Sequence, residues 1–497
     1  MDFKFEEATI DQIQEAFKDK SLTSRKLVDF YLHQINTLNP LLKAIIEVNP
    51  DAQYHADKAD FERDSNNSKS TILDYLHGIP ILLKDGIGTK DKLNTTAGSY
   101  ALLGSTVARE ATVVEKLRKS GGIVLGKASM SEWYKFRSMS GVSDGWCARS
   151  GQGLNPYVPG GSPCGSSSGS AISVAANMVS VSLGTETHSS ICCPADHNSV
   201  VGLKPTVGLT SRSGVIPMTP RWDTVGPICR TVSDAVYVLE VIAGADPRDE
   251  ATIEAAKFIP EGGYKQFLKL DGLEGKRLGV VRHPFVEKIH GAIESATFEQ
   301  HINTLRDRGA IILDNLQIEH VNKILDPNHS GEITLMMTDF KTSINNYLKE
   351  LIDSPVRSLA DIIAFNENNP ELEKLAEHDQ NTFIAAEETD GFGDHEKALV
   401  EKLEHYCLDG FEKTMKENEV DAIMTPGSRA AAVYAIGGYP TITVPAGYEA
   451  DGMPFGLCFG GLRGTEHKLI EIAYAFEQAT KVRKPPQFPN ATEIINQ

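Results

Sequence analysis

Apolar residues recur at helical spacing along the first forty positions. Ile10, Ile13 and Phe17 mark one face of a helix. Leu27, Phe30, Tyr31 and Ile35 form the stripe of a second, with Thr23 as its N-cap, so residues 9–38 read as two helices. Beyond them the period shortens. Apolar runs at 44–48 (AIIEV), 79–83 (IPILL), 122–125 (GIVL) and 179–183 (VSVSL) read as strands, as do 277–281, 310–313, 420–424, 441–444 and 455–459. Helical patterns fall at 112–119, 170–178, 233–243, 294–307 and 465–480. This alternation predicts an α/β fold around a mostly buried sheet covered by helices. Glycine, serine and proline are dense from 141 to 227, whereas 245–275 and 314–410 are charged and mostly helical in pattern. The latter read as a peripheral layer over the sheet. Neither a low-complexity linker nor an internal repeat divides the chain, so one large domain over 1–497 is expected.

Composition narrows the function classes. The chain has 497 residues, 41% hydrophobic and 23% charged, which is an ordinary globular balance with room for a large core. Its net charge is −18 with no basic block, so nucleic acid is not an expected partner. The opening MDFKFEEATI is charged and lacks the apolar run of a signal peptide or anchor. No window approaches the ~18 apolar residues of a membrane span. Seven cysteines (147, 164, 192, 193, 229, 407 and 458) include no C-x-x-C pair. They read as reduced thiols, mostly small core residues, in a cytoplasmic protein, with Cys192 and Cys193 packing beside a buried turn. No His/Cys/Asp cluster has ligand spacing, so neither a metal nor an organic cofactor is expected.

Candidate chemistry concentrates in two serine-rich stretches. In PCGSSSGSA (163–171), Gly165 to Gly169 fits G-x-S-x-G, the nucleophile elbow, with Ser167 at its centre. That motif needs a strand leading into the turn. The preceding NPYVPGGSP holds three prolines and two glycines and is no central strand. A structural turn or an anion-binding helix start fits the same residues. No Lys-[Ser/Thr] follows, so the stretch is not a P-loop. In GTETHSSICCPA (184–195), Ser190 is a candidate nucleophile with His188 two residues away. Side chains at that spacing in a tight loop rarely aim at one another. A Ser-His-Asp site also needs a carboxylate behind the histidine, and none is marked in the stretch. His188 therefore reads as lining a substrate mouth or pointing to solvent.

Taken together, ILLKDGI with Lys84, the Gly/Ser loop at 165–170, GTETHSSICCPA and VVGLKPTVGLTSRSGVIP resemble the amidase signature family. The likeness is strong over about 75–245. It returns over about 420–485, in DAIMTPG, AIGGYPTITVPAG, PFGLCFGG and LIEIAYAFEQAT, leaving a helical covering layer at about 250–415. The resemblance implies a single domain with a central mixed sheet and a Ser–cisSer–Lys triad. Ser190 would be the nucleophile, Ser166 the bridging serine after a cis peptide from Gly165, and Lys84 the base. Ser190 follows Ser166 by 24 residues, a separation typical of the family. The chemistry agrees. A serine hydroxyl needs an adjacent base, and burial makes a lysine available as a neutral amine. The implied oxyanion hole is the backbone N–H groups of Thr187, His188, Ser189 and Ser190. Similar family members have Asp-Gly or Gly-Gly at 188–189, so serine at 189 departs from the pattern where positive φ favours glycine.

The wording of these stretches is most similar to bacterial peptide amidases and their plant relatives. That implies hydrolysis of C-terminal peptide amides or other neutral carboxamides through an acyl-enzyme. Three alternatives stand beside it: a broad arylamide or ester hydrolase, a transamidosome-type subunit needing a partner chain, and a homologue inactivated by His188-Ser189.

Overall fold

A computed structural model describes residues 3–66 and 73–488. Its centre is one mixed sheet of eleven strands. In chain order these are β1 (Ile45–Val48), β2 (Pro80–Lys84), β3 (Ile123–Ala128), β4 (Val181–Glu186), β5 (Val201–Lys204) and β6 (Thr224–Cys229). β7 (Arg277–Val280), β8 (Ile311–Leu313), β9 (Ala422–Pro426), β10 (Thr441–Tyr448) and β11 (Pro454–Gly460) follow. Their spatial order is β1-β3-β2-β4-β6-β5-β10-β11-β9-β7-β8. β2 runs parallel to both neighbours, pairing Ile81 with Val124 of β3 and Leu83 with Leu183 of β4. β4 pairs antiparallel with β6. Every residue of β2 is buried, which explains its unbroken apolar run: a strand covered on both faces has no polar alternation.

Two hydrophobic cores flank this sheet. One joins Leu82, Leu83, Val181 and Ile228 to the helices Ile10–Lys18, Ser24–Leu42, Val232–Ile242 and Glu466–Thr480. The other joins Trp133, Phe136 and Met218 to Met336, Phe340 and Phe383 of the covering helices. Thr23 caps the second helix, accepting a hydrogen bond from the N–H of Lys26. A fully buried ion pair, Arg137 to Glu132 at 2.5 Å, is extended to Glu373 at 3.3 Å and ties the covering layer down.

The structure adds elements that periodicity hides. β5 and most of β6 lie inside the Gly/Ser/Pro-dense stretch, where the strand reading did not mark them. Gly226 in β6 is required by packing, because a Cβ there would collide with the carbonyl of Leu203. The helix Ala52–Asn66 has almost no apolar stripe and escapes the same reading. Segment 245–275 holds only short helical turns in place of the expected helical pattern.

The seven cysteines are not all reduced thiols, contrary to the sequence expectation. Cys164 and Cys193 form a disulfide, 29 residues apart in sequence, and the other five cysteines are buried and free. Neither neighbour spacing nor count marks this pair; the fold of two distant loops brings it together. The bridge removes the premise of the cytoplasmic expectation, since disulfides persist mainly in oxidising compartments. Protein denatured without reductant is expected to titrate five thiols per chain. A count of all seven would show the pair reduced. No helix among the described residues is long and apolar enough to cross a membrane.

Candidate active site

Parallel pairing of β2 with β4 brings their carboxyl ends side by side, the edge where α/β sheets assemble sites. Lys84 ends β2 and is fully buried. Its Nζ lies 2.7 Å from Ser166 Oγ, 2.9 Å from Ser167 Oγ and 3.0 Å from the carbonyl of Thr185. The ring of Tyr134 stands 5.0 Å from the same nitrogen. Burial holds the Lys84 pKa well below the usual lysine range, and the charges of Glu186 and Asp223 pull it only part of the way back.

Ser166 follows a cis peptide bond from Gly165 and is buried. The helix Ser168–Ala175 starts just beyond it, against the backbone of Ala44 and Ser129, so close that a Cβ on Gly169 would strike both. Ser167 is buried and committed. Its hydroxyl donates to the Thr185 carbonyl at 3.1 Å and accepts from the Thr185 N–H at 3.3 Å. The residues before it form no strand. The elbow geometry is absent, and Ser167 is not among the residues facing the cavity.

Ser190 sits in the turn between β4 and the short helix Cys192–His197. Glu186 organises that turn: its Oε2 accepts from the N–H groups of Ile191 at 2.6 Å and Cys192 at 2.9 Å. The Ser190 carbonyl accepts from the Ser167 N–H at 3.2 Å, stitching the two serine loops together. The disulfide adds a second stitch, from the residue before Gly165 to the residue three after Ser190. Ser166 and Ser190 line one cavity of about 330 Å³ with Gly165, Thr187, His188 and Ser189. No hydrogen bond joins Ser190 Oγ to Ser166 or to His188. The backbone N–H groups of Thr187, His188, Ser189 and Ser190 have no hydrogen-bond partner among the described residues. Ser189 is left-handed, at φ +61°.

Three carboxylates in and around this cavity escape a reading by motif. Glu186 had a local signal, a carboxylate at a strand end facing a helix start. Asp223 had none. Its Oδ1 accepts from the Thr187 hydroxyl at 2.6 Å, and burial pushes its pKa up to about 6 against the pull of its hydrogen bonds. Glu332 supplies His188 with the carboxylate that the stretch around the histidine does not mark. It lies 144 residues downstream, and its Oε1 is 2.6 Å from His188 Nδ1. Burial lowers the His188 pKa, but the Glu332 charge and hydrogen bond outweigh it and leave the histidine above its ordinary value. The carboxylate behind His188 comes from a helix that only tertiary packing brings there.

Among the described residues, two groups of potential metal ligands also emerge that spacing did not reveal: Cys164, Cys193 and His197, and His320, His405 and Asp409. In the first, both sulfurs are consumed by the disulfide. The second stands apart from the cavity just described.

A mixed sheet with a buried lysine at a strand end, hydrogen-bonded to a serine after a cis peptide, fits an amidase-type hydrolase. The Amidase family profile matches residues 26–435, and the chain belongs to this family. It is 57% identical over 486 residues to a probable amidase of Arabidopsis thaliana, covering 98% of this chain and 92% of the relative. A putative amidase of Schizosaccharomyces pombe is 37% identical over 512 residues, covering 97% of this chain and 87% of the relative. Among solved structures, the peptide amidase of Stenotrophomonas maltophilia superposes with a TM-score of 0.90 at 39% identity, covering 98% of this chain and 99% of that one. The chain is thus an amidase signature hydrolase with peptide amidases as structural neighbours.

Proposed function

We propose that this amidase hydrolyses neutral carboxamides, C-terminal peptide amides foremost, through an acyl-enzyme on Ser190. The observation that carries the reading is the buried Lys84 amine at 2.7 Å from Ser166, in the wall of a cavity that Ser190 also lines. A neutral amine has two N–H donors and one lone pair. Two donors satisfy the Thr185 carbonyl and Ser167 Oγ, which leaves the lone pair for the Ser166 hydroxyl. Ser166 then takes the Ser190 proton as Ser190 attacks the carbonyl carbon, and passes it to the departing amine nitrogen. Water repeats the sequence in reverse to release the acid.

The four free N–H groups at Thr187–Ser190 are the proposed oxyanion hole, donors held ready where negative charge develops. The likeness to a peptide amidase supports the substrate class. The net charge of −18, with no basic block, speaks against a nucleic-acid partner. The test is a panel of peptide amides, fatty amides and anilides with wild type and Ser190→Ala. Preference for peptide amides is expected. Anilides as the best substrates would favour the arylamidase reading, and inactivity of the purified chain alone would favour a partner-dependent amidotransferase component.

The left-handed Ser189 bears on the hole. A non-glycine residue there costs on the order of 1 kcal/mol, and one well-aimed donor is worth about 2.7–4 kcal/mol of barrier. Ser189→Gly is expected to raise kcat on a simple peptide amide a few-fold, with a smaller change in KM. Steady-state kinetics decide it: an unchanged or lower kcat would mean that serine holds the donors as well as glycine does.

A further inference from the structure

His405 lies in the last turn of the helix Asp394–Tyr406, and Asp409 lies four residues on, in the π-helical turn Cys407–Glu412. Side chains four apart on a helix share a face, the spacing that lets two helical residues grip one metal ion. His320 meets them from the loop before the short helix Val321–Ile324. Its Nε2 is 3.2 Å from Asp409 Oδ2, and the ring centres of His320 and His405 are 5.3 Å apart. One nitrogen of each histidine and one Asp409 oxygen all lie within 4.8 Å of one another. Tetrahedral zinc, with bonds of about 2.0–2.2 Å, sets neighbouring ligand atoms about 3.3 Å apart and the centres of two ligand imidazoles about 5 Å apart. His320 and Asp409 already stand at that spacing. His405 is exposed and makes no hydrogen bond among the described residues, so a small side-chain turn closes the rest. Asp409 Oδ1 is 3.4 Å from Lys413 Nζ, which leaves Oδ2 for an ion. His320 Nδ1 is buried without a hydrogen-bond partner, with a Glu319 carboxylate oxygen 4.0 Å away. A metal-bound histidine ordinarily turns its second ring N–H toward a carboxylate, which keeps the lone pair on the nitrogen facing the metal.

We propose that His320, His405 and Asp409 form a zinc site, separate from the amidase chemistry. Two imidazoles and one carboxylate favour Zn²⁺ over Mg²⁺ and Ca²⁺, which take oxygen ligands. The exposed side of His405 leaves the fourth position to water. The site joins two stretches that are distant in sequence. One is the loop at His320, which leads on to Pro327 and Glu332 in the wall of the proposed substrate cavity. The other is the run of helical turns from Asp394 to Glu417 in the covering layer. The ion acts as a clip between them, stabilising the folded chain because the unfolded chain does not hold the three ligands together.

The test is calorimetric titration of Zn²⁺ alone into the full chain, untagged, unreduced and first stripped with a chelator. One ion per chain is expected to bind with Kd of about 10⁻⁶ M. His405→Ala removes an exposed side chain that supports no core packing, so the variant folds, and it is expected to weaken binding by about 100-fold or more. Asp409→Asn is expected to weaken it by about tenfold or more, since an amide oxygen is a poorer ligand than a carboxylate. His197→Ala, beside the disulfide, is expected to bind zinc as wild type does. Zinc should also raise the Tm of wild type and leave that of His405→Ala where it was. No saturable binding by wild type up to about 10⁻³ M Zn²⁺ overturns the site and leaves an ordinary imidazole–carboxylate hydrogen bond between His320 and Asp409. Binding of wild-type strength in His405→Ala overturns it too, as does loss of binding in His197→Ala, which would move the ion to the cysteine loops. None of these outcomes depends on amide turnover, so the zinc site and the proposed hydrolysis stand or fall separately.

Discussion

Ser190→Ala is expected to abolish turnover, with kcat falling about 10⁴–10⁶-fold, while the protein stays folded. The size follows from the proposed role. Without the proposed nucleophile no acyl-enzyme would form, and only the proposed oxyanion hole at Thr187–Ser190 would remain to stabilise an attack by water. Folding is spared because Ser190 Oγ faces the cavity and makes no hydrogen bond among the described residues, so alanine orphans no partner. A fluorophosphonate should label wild type on Ser190, read by mass spectrometry of the peptide, and leave Ser190→Ala unmodified. A label on Ser167 would overturn the assignment and revive the elbow. The geometry speaks against that outcome, since the Ser167 hydroxyl is buried and bonded to Thr185.

Loss of the proposed base is the second large effect. Lys84→Met keeps most of the volume, removes the amine and leaves no buried charge. It is expected to lower kcat by about 10²–10⁴-fold or more, whereas His188→Ala costs much less. The pH profile carries the sharper signature. Burial disfavours the ammonium form, so Lys84 deprotonates well below the usual lysine range and activity should rise with pH through that point to a plateau. The limb should vanish in Lys84→Met. Asp223 favours the ammonium through its charge, so Asp223→Asn lowers the Lys84 pKa further and should move the limb to lower pH. A limb that persists in Lys84→Met belongs to another group, such as His188 or Asp223. Reversed losses for Lys84 and His188 would make the His188–Glu332 pair the base.

Much of this site is legible in the chain because its parts are local. The strand ending in Lys84 is announced by an unbroken apolar run, which only a strand buried on both faces sustains. Ser166 and Ser190 each sit in a short loop beside an element with its own signal, and the family wording marks both loops. The Thr23 cap and the helices Thr112–Lys119 and Val232–Ile242 are equally local, the helices written in apolar spacing within a dozen residues. β5 and β6 are not, since their Gly- and Pro-containing residues become strands only when neighbours in the sheet supply the hydrogen bonds and close contacts.

The linear chain therefore carries the class of fold, the family and the residues of the proposed relay. Apolar periodicity and loop chemistry are short-range properties, displayed before any folding. The surroundings that set the chemistry of those residues arise from packing. Lys84 becomes a candidate base because distant strands bury it, Cys164 meets Cys193 because two loops converge, and His188 meets Glu332 across 144 residues of chain. Burial and charge proximity are properties of three-dimensional packing, and no spacing along the chain encodes them.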